Sequence, residues 1–167
     1  MNSRLALILG IFTGVIYLTN REEVLGTLLG PVTTLTANIT FFLLNLIKMD
    51  VMQEASIIYH PGGFAYEIYY RCTGFLPVAC LSVFILAHPG NFSYKLAGLA
   101  LGVPLLLLLN FFRLVNLFII GVNRPNYFDF AHNVLWNGII ILVVFGYWLA
   151  WKNWVEQPET RYSLNPK

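Results

Sequence analysis

Residues 97–121 read AGLALGVPLLLLLNFFRLVNLFIIG. With Leu96 they make an apolar run long enough to cross a bilayer, which takes roughly 20 residues at ~1.5 Å rise each. Arg113 lies inside this run, with Asn110 one turn before it and Asn116 one turn after. An arginine at the centre of a lipid-exposed helix costs about 2.5–3.5 kcal/mol on insertion scales. Polar residues at i, i+3 and i+6 lie along one side of a helix, so this side is expected to face other helices or a wet cavity. Arg113 is ~17 residues in from Leu96, about 25 Å along the axis, which puts it toward one interface, where a long side chain can snorkel to the headgroups. Snorkelling does not account for the flanking asparagines, and the stripe is read first as a functional site.

Composition extends this reading to the whole chain. Hydrophobic residues make up 57% and charged residues 11% of the 167, the latter about half the share of a soluble domain. The fold class expected is all-α, a polytopic integral membrane helix bundle with about five transmembrane helices. A net charge of +2, with no basic cluster interleaved with aromatics, gives no reason to expect a nucleic-acid partner. Cys72 and Cys80 are too few for a disulfide framework. On a helix they would stand ~12 Å apart along the axis, beyond disulfide reach.

Apolar segments are expected over residues 5–19, 24–47, 73–87, 96–121 and 134–151. No A-x-A-like site follows the first, so no cleavable signal peptide is expected. The second carries glycines and five threonines (27, 33, 34, 36 and 40), which favour helix–helix over lipid contact. Between the second and third, residues 48–71 are amphipathic and aromatic-rich, an interfacial or re-entrant piece broken by the turn His60-Pro61-Gly62-Gly63. Residues 122–131 read as a connecting loop. Trp148, Trp151, Lys152 and Trp154 form an interfacial collar at the end of the last span. Residues 1–155 are assigned to a single transmembrane domain and residues 156–167 to a polar tail, expected to be disordered.

Alternation of spans places the loop before the third span and the loop after the fourth on the same side. Cys72, Arg113 and His132 therefore converge on one membrane face, whereas His88 lies across the membrane. Arg21, Lys95, Lys152, Arg161 and Lys167 fall on one side, against Arg4, Lys48, Arg71 and Arg124 on the other. This slight excess favours the Cys72 face being extracytoplasmic.

A thiol with a histidine in reach can perform covalent acyl transfer. The thiolate is the nucleophile, and nearby cations lower its pKa. His132 can act as base and then as acid toward a leaving amine. Arg113 can hold the developing oxyanion, and Arg71, beside Cys72, favours thiolate. Thr73 and Gly74 open the third helix, where unpaired backbone N–H groups would point toward the thiol. Glu67 can pair with Arg71, Arg113 or His132 and orient one of them, or it can be a solvated charge. Asp129 has the same two readings. Cys80 and His60 are read as packing and turn residues.

Cys72-Thr73-Gly74 at a loop-to-helix junction, Asn110-Phe111-Phe112-Arg113 late in the next span and His132 opening the one after resemble the exosortase/archaeosortase family. Its members are polytopic membrane cysteine transpeptidases of the cell membrane. The resemblance covers roughly residues 66–148. It implies Cys72 as nucleophile, Arg113 as the essential arginine and His132 as the acid–base residue. It also implies substrate proteins bearing a C-terminal sorting signal: a short motif, a transmembrane helix and a basic cluster. The chain has fewer spans than the larger members, which leaves open an oligomer or partner subunit that completes a substrate groove. Where many members carry acidic residues just before the cysteine, this chain has Arg71, and its nearest acid is Glu67.

Two other classes compete. A small transport or channel subunit would line a path with Asn110, Arg113, Asn116, Asn133 and Asn137, but residues 99–109 offer no ionisable side chain. A non-enzymatic assembly or lipid-binding protein would tolerate loss of the thiol. No cofactor is expected: there is no H-E-x-x-H, no paired Cys/His spacing for a metal and no Gly-rich phosphate loop.

Overall fold

A computed structural model of the protein describes Gly10 and residues 22–163. The apolar segment expected over residues 5–19, Gly10 apart, and residues 164–167 of the tail lie outside the described residues.

Helix α1 spans Glu22–Leu46 and contains Pro31. Its threonine hydroxyls donate back to carbonyls one turn earlier: Thr33 to Leu29 (2.9 Å), Thr36 to Val32 (2.7 Å) and Thr40 to Thr36 (2.8 Å). A hydroxyl in hydrocarbon must find such a partner. Thus satisfied, Thr36, Ala37 and Thr40 form a buried, small-residue stripe.

The stretch expected to be interfacial folds as a three-stranded antiparallel sheet, with β1 Met52–Glu54, β2 Ile57–Tyr59 and β3 Ala65–Glu67. Ile57 pairs with Glu67, Ile58 with Tyr66 and Tyr59 with Ala65. The His60-Pro61-Gly62-Gly63 turn joins β2 to β3. Gly63 takes φ +91° there, a left-handed conformation that glycine adopts without Cβ strain. The alternation along β3 turns Tyr66 inward and leaves Ala65 and Glu67 exposed.

A 3-10 turn, Tyr70–Cys72, leads through Gly74 into α2, Phe75–Ala87. At 13 residues, about 20 Å, α2 is shorter than the ~30 Å hydrocarbon core. Helix α3, Phe92–Asn123, has 32 residues and contains Pro104. Near its start Gly98 and Gly102 let the last helix approach closely. A Cβ on Gly102 would come within 2.6 Å of Leu81 and 2.7 Å of Tyr147, and one on Gly98 would collide with the Trp151 indole. Tyr147 Oη donates to the Gly98 carbonyl (2.7 Å) and Trp151 Nε1 to that of Tyr94 (3.0 Å).

The loop expected over residues 122–131 is almost entirely helical. Asn123 ends α3, Arg124 is its cap, and a 3-10 turn Pro125–Tyr127 follows at once. One α turn, Phe128–Phe130, and a π turn, Ala131–Leu135, then run without a break into α4, Trp136–Ser163. Proline at the first helical position needs no N–H partner, so Pro125 starts the run at no cost in hydrogen bonds. The helix continues past Glu156 into the stretch assigned to the polar tail.

Among the described residues, three helical stretches are long and apolar enough to cross a membrane: Gly26–Leu46, Phe92–Asn123 and Pro125–Glu156; α2 is a shorter apolar helix. Their outward faces carry Leu28, Leu101, Leu108, Ile141 and Leu142, each more than 60% exposed. Exposed apolar area on this scale marks a lipid-facing surface. The protein is an all-α membrane bundle with a small sheet at one end. Helix α3 is its axis, packed on α2 and α4 in its first half and on α1 and the start of α4 in its second.

Candidate active site

One apolar cluster joins the end of α1 (Ala37, Leu44), the sheet (Ile58, Tyr66), Cys72 and the end of α3 (Leu114, Phe118). Cys72 closes the 3-10 turn, its N–H donating to the Tyr69 carbonyl (2.8 Å), and is 5% exposed. Gly74 follows at φ +80°, where a side chain would be strained. A Cβ there would also stand 3.2 Å from Cγ of Asn110. Asn110 fills that space and donates through Nδ2 to the Cys72 carbonyl (2.7 Å). The Cys-Thr-Gly step and the Asn-x-x-Arg turn are thus one interlocked piece.

Arg113, one turn beyond Asn110, is 6% exposed, and its Nε has no hydrogen-bond partner. Its charge acts on Cys72, Tyr66 and His132. His132 lies in the π turn, half-buried. Its ring stacks on Phe128 (centroids 5.7 Å, interplanar 13°), and its Nδ1 is 3.0 Å from Oδ1 of Asn133. The His132 side chain acts on the Cys72 thiol and favours its charged form. From β3, Tyr66 Oη donates to Cys72 Sγ at 3.7 Å.

Burial pushes the Cys72 thiol up. Hydrogen bonds from the His132 side chain, the Tyr69 backbone and the Tyr66 phenol, with the Arg113 charge, outweigh it and hold the thiol below its ordinary value. Hydrogen bonds to the charged form and a nearby cation both favour thiolate. Cys72, Arg113 and His132 therefore come together from three separate elements. His88 is at the other end of the bundle, 3.8 Å from Glu156.

Other expected contributors are placed differently. Thr73 does not offer a free amide: its N–H donates to the Tyr70 carbonyl (3.2 Å), as does its hydroxyl (2.6 Å), because the helix starts later, at Phe75. Arg71 is exposed, with Nε donating to Tyr70 Oη (3.0 Å), and the cation acting on the thiol is Arg113. Glu67 is exposed and accepts a hydrogen bond from Tyr69 Oη (2.6 Å). It is not among the groups acting on His132. Asp129 is exposed. The asparagines of the supposed polar path are engaged: Asn116 accepts from Trp136 Nε1 (3.1 Å), and Asn137 donates to the Asn133 carbonyl (3.0 Å).

Tyr66, Phe128 and Asn133 join the thiol site without being among its expected residues. Tyr66 was accessible through the alternation Ala65-Tyr66-Glu67-Ile68, which marks Tyr66 and Ile68 as the inward pair of a strand. Asn133 adjoins the histidine but carries no signature of its own, and Phe128 is one aromatic among many.

Apolar faces along the helices, and a thiol, an imidazole and a guanidinium gathered at one end, define a polytopic membrane protein with the parts of a cysteine-nucleophile site. The family described as transmembrane exosortase (Exosortase_EpsH) matches residues 3–150. The chain belongs to that family. No curated protein and no solved structure matches it.

Proposed function

We propose that the protein is a membrane-embedded cysteine peptidase and transpeptidase that removes C-terminal sorting signals from exported proteins at the extracytoplasmic face. The observation that carries this reading is the gathering of Cys72, His132 and Arg113 at one end of the bundle, where the Tyr66 side chain touches both the sulfur and the His132 ring and where the imidazole and the guanidinium's charge both draw the thiol toward thiolate. Family membership supports the reaction class, and the excess of basic residues on the other side supports the orientation.

In the proposed cycle His132 holds the thiol proton while Cys72 Sγ attacks the carbonyl carbon of the scissile peptide bond. Negative charge moves to the carbonyl oxygen, where Arg113, whose Nε has no hydrogen-bond partner, supplies N–H donors. Collapse of the intermediate breaks the C–N bond. The His132 proton goes to the departing amine, which leaves with the substrate's C-terminal helix. The acyl group stays on sulfur as a thioester. A nucleophile on an acceptor, or water, then attacks the thioester, giving its proton to His132 and restoring the thiol. The substrate partner is a protein ending in a short motif, a transmembrane helix and a basic cluster; an oligomer or partner subunit would complete the groove that holds it.

The test is processing of a co-expressed tagged substrate in cells carrying Cys72→Ala. Full-length substrate is expected to accumulate while the variant protein remains in membranes at normal level. Normal processing in that variant ends the proposal.

A further inference from the structure

Beyond the residues that hold and transfer the proton, we infer that Tyr66 is a further catalytic residue, a phenol donor on the nucleophilic sulfur that stabilises the Cys72 thiolate. This rests on Cys72 being the nucleophile, as proposed above.

The placement of Tyr66 is specific. It is 7% exposed, on the inward side of a three-residue strand. Its ring is fixed edge-on against Phe128 (centroids 5.6 Å, interplanar 76°) and lies edge-on to His132 (6.5 Å, 81°). Phe128 thus touches both aromatic partners of the sulfur, flat on the imidazole and edge-on to the phenol. The hydroxyl reaches Sγ at 3.7 Å, within the longer range of hydrogen bonds to sulfur. Burial, then the neighbouring thiol, pushes the phenol's pKa up, so it keeps its proton while the thiol titrates. A phenol that keeps its proton donates better to S⁻ than to S–H, and donation to the charged form lowers the thiol pKa.

Every element packed round the sulfur has a definite share in this. Helix α3 brings the Arg113 charge, the π turn brings His132, and the 3-10 turn brings the Tyr69 backbone. The residues that α1 adds to the cluster are Ala37 and Leu44, neither titratable. Tyr66 is the contribution of the sheet. It also gives the sheet a chemical task, since the pairing of Ile58 with Tyr66 fixes which strand residue faces the thiol.

The experiment is the pH dependence of Cys72 alkylation by iodoacetamide in the full-length, detergent-solubilised protein, in a Cys80→Ser background so that one thiol reports. Tyr66→Phe keeps the ring and removes the donor. Its alkylation midpoint is expected to move up by about one pH unit, or about tenfold slower alkylation at a pH below both midpoints. Site-specific replacement of Tyr66 by a fluorotyrosine keeps the shape and makes a stronger donor, and the midpoint is expected to move down. This arm also reads the proposal if Tyr66→Phe does not accumulate. A midpoint unchanged in the fluorotyrosine protein, or in a folded Tyr66→Phe, overturns the inference. Alkylation needs no substrate. A shifted midpoint together with normal processing in Cys72→Ala would sink the proposed reaction and with it the catalytic role of Tyr66, leaving only a phenol donor on the thiol, whereas an unchanged midpoint with processing lost in Cys72→Ala would sink the Tyr66 role alone.

Discussion

Asn110 Nδ2 donates to the carbonyl oxygen of Cys72 across 2.7 Å, joining residues 38 apart in the chain. The bond is buried, and the other face of the same amide packs on Gly74. Asn110→Ala removes the donor and leaves the Cys72 carbonyl without it, a cost of about 1–3 kcal/mol. Gly74→Ala forces a left-handed alanine, about 1–2 kcal/mol, and presses its Cβ on Asn110. Both variants are expected to melt earlier in detergent and to lose substrate processing. Asn110→Ala with unchanged melting and processing would separate the two motifs.

For Arg113 the proposed function predicts the opposite relation between stability and activity. A buried guanidinium with an unpartnered Nε is a destabilising feature, because a charge taken out of water without its full set of partners carries an uncompensated desolvation cost. Arg113→Met is expected to raise the melting temperature while abolishing processing. Arg113→Lys keeps a charge but not the planar fork, and is expected to process at least about tenfold more slowly. A Met variant that melts earlier would mean that the guanidinium is held by the fold and not reserved for a substrate.

The Cys72 thiol lies below its ordinary value in the folded protein, so it ionises before the unfolded chain's thiol does. Unfolding therefore takes up a proton in the window between the two values, and stability rises with pH there. The contribution is fully present above the unfolded thiol's pKa and is lost as pH falls through the folded one. Denaturation measured across this window should show a positive slope that Cys72→Ser flattens. An unchanged slope in that variant would place the titration elsewhere.

How the sequence announces this fold and site differs from element to element. The long spans are legible because apolar length has one cheap solution in a bilayer, and α1 and α3 fall within a few residues of the expected bounds. The meeting of Cys72, Arg113 and His132 is legible because the chain runs out along α2 and back along α3, which returns Arg113 to the end where Cys72 begins α2 and His132 follows α3. The sheet was not, since three-residue strands lie below the length at which period-2 alternation separates from an amphipathic turn. Nor was the helical continuity through Pro125: a proline-containing, polar stretch reads as a loop until its neighbours are known. Arg71 is adjacent to Cys72 in sequence but not in space, and the guanidinium charge on the thiol is that of Arg113. In a 3-10 turn, consecutive side chains diverge, and Arg71 goes to solvent while Cys72 goes inward.

His132 depends on a neighbour, Asn133, that the sequence offers only as part of a polar path. Nδ1 lies 3.0 Å from Oδ1 of Asn133. An amide oxygen can only accept, so this contact requires the proton on Nδ1 in the neutral ring. That leaves Nε2 bare, the state a base toward the thiol needs. The π turn that carries both residues breaks the regular helical spacing at the place where the imidazole must be aimed, a frequent use of such turns. Asn133→Ala is expected to leave the melting temperature within about 0.5 kcal/mol equivalent, since the residue is exposed. It should nevertheless slow processing about tenfold or more, because losing the orienting partner of a catalytic histidine yields the wrong tautomer. Nitrogen NMR of a His132-labelled protein gives a direct reading: Nδ1–H in the wild type, a mixture in Asn133→Ala, and recovery in Asn133→Asp, which accepts the same bond. Wild-type processing in Asn133→Ala would show that Phe128 stacking alone aims the ring.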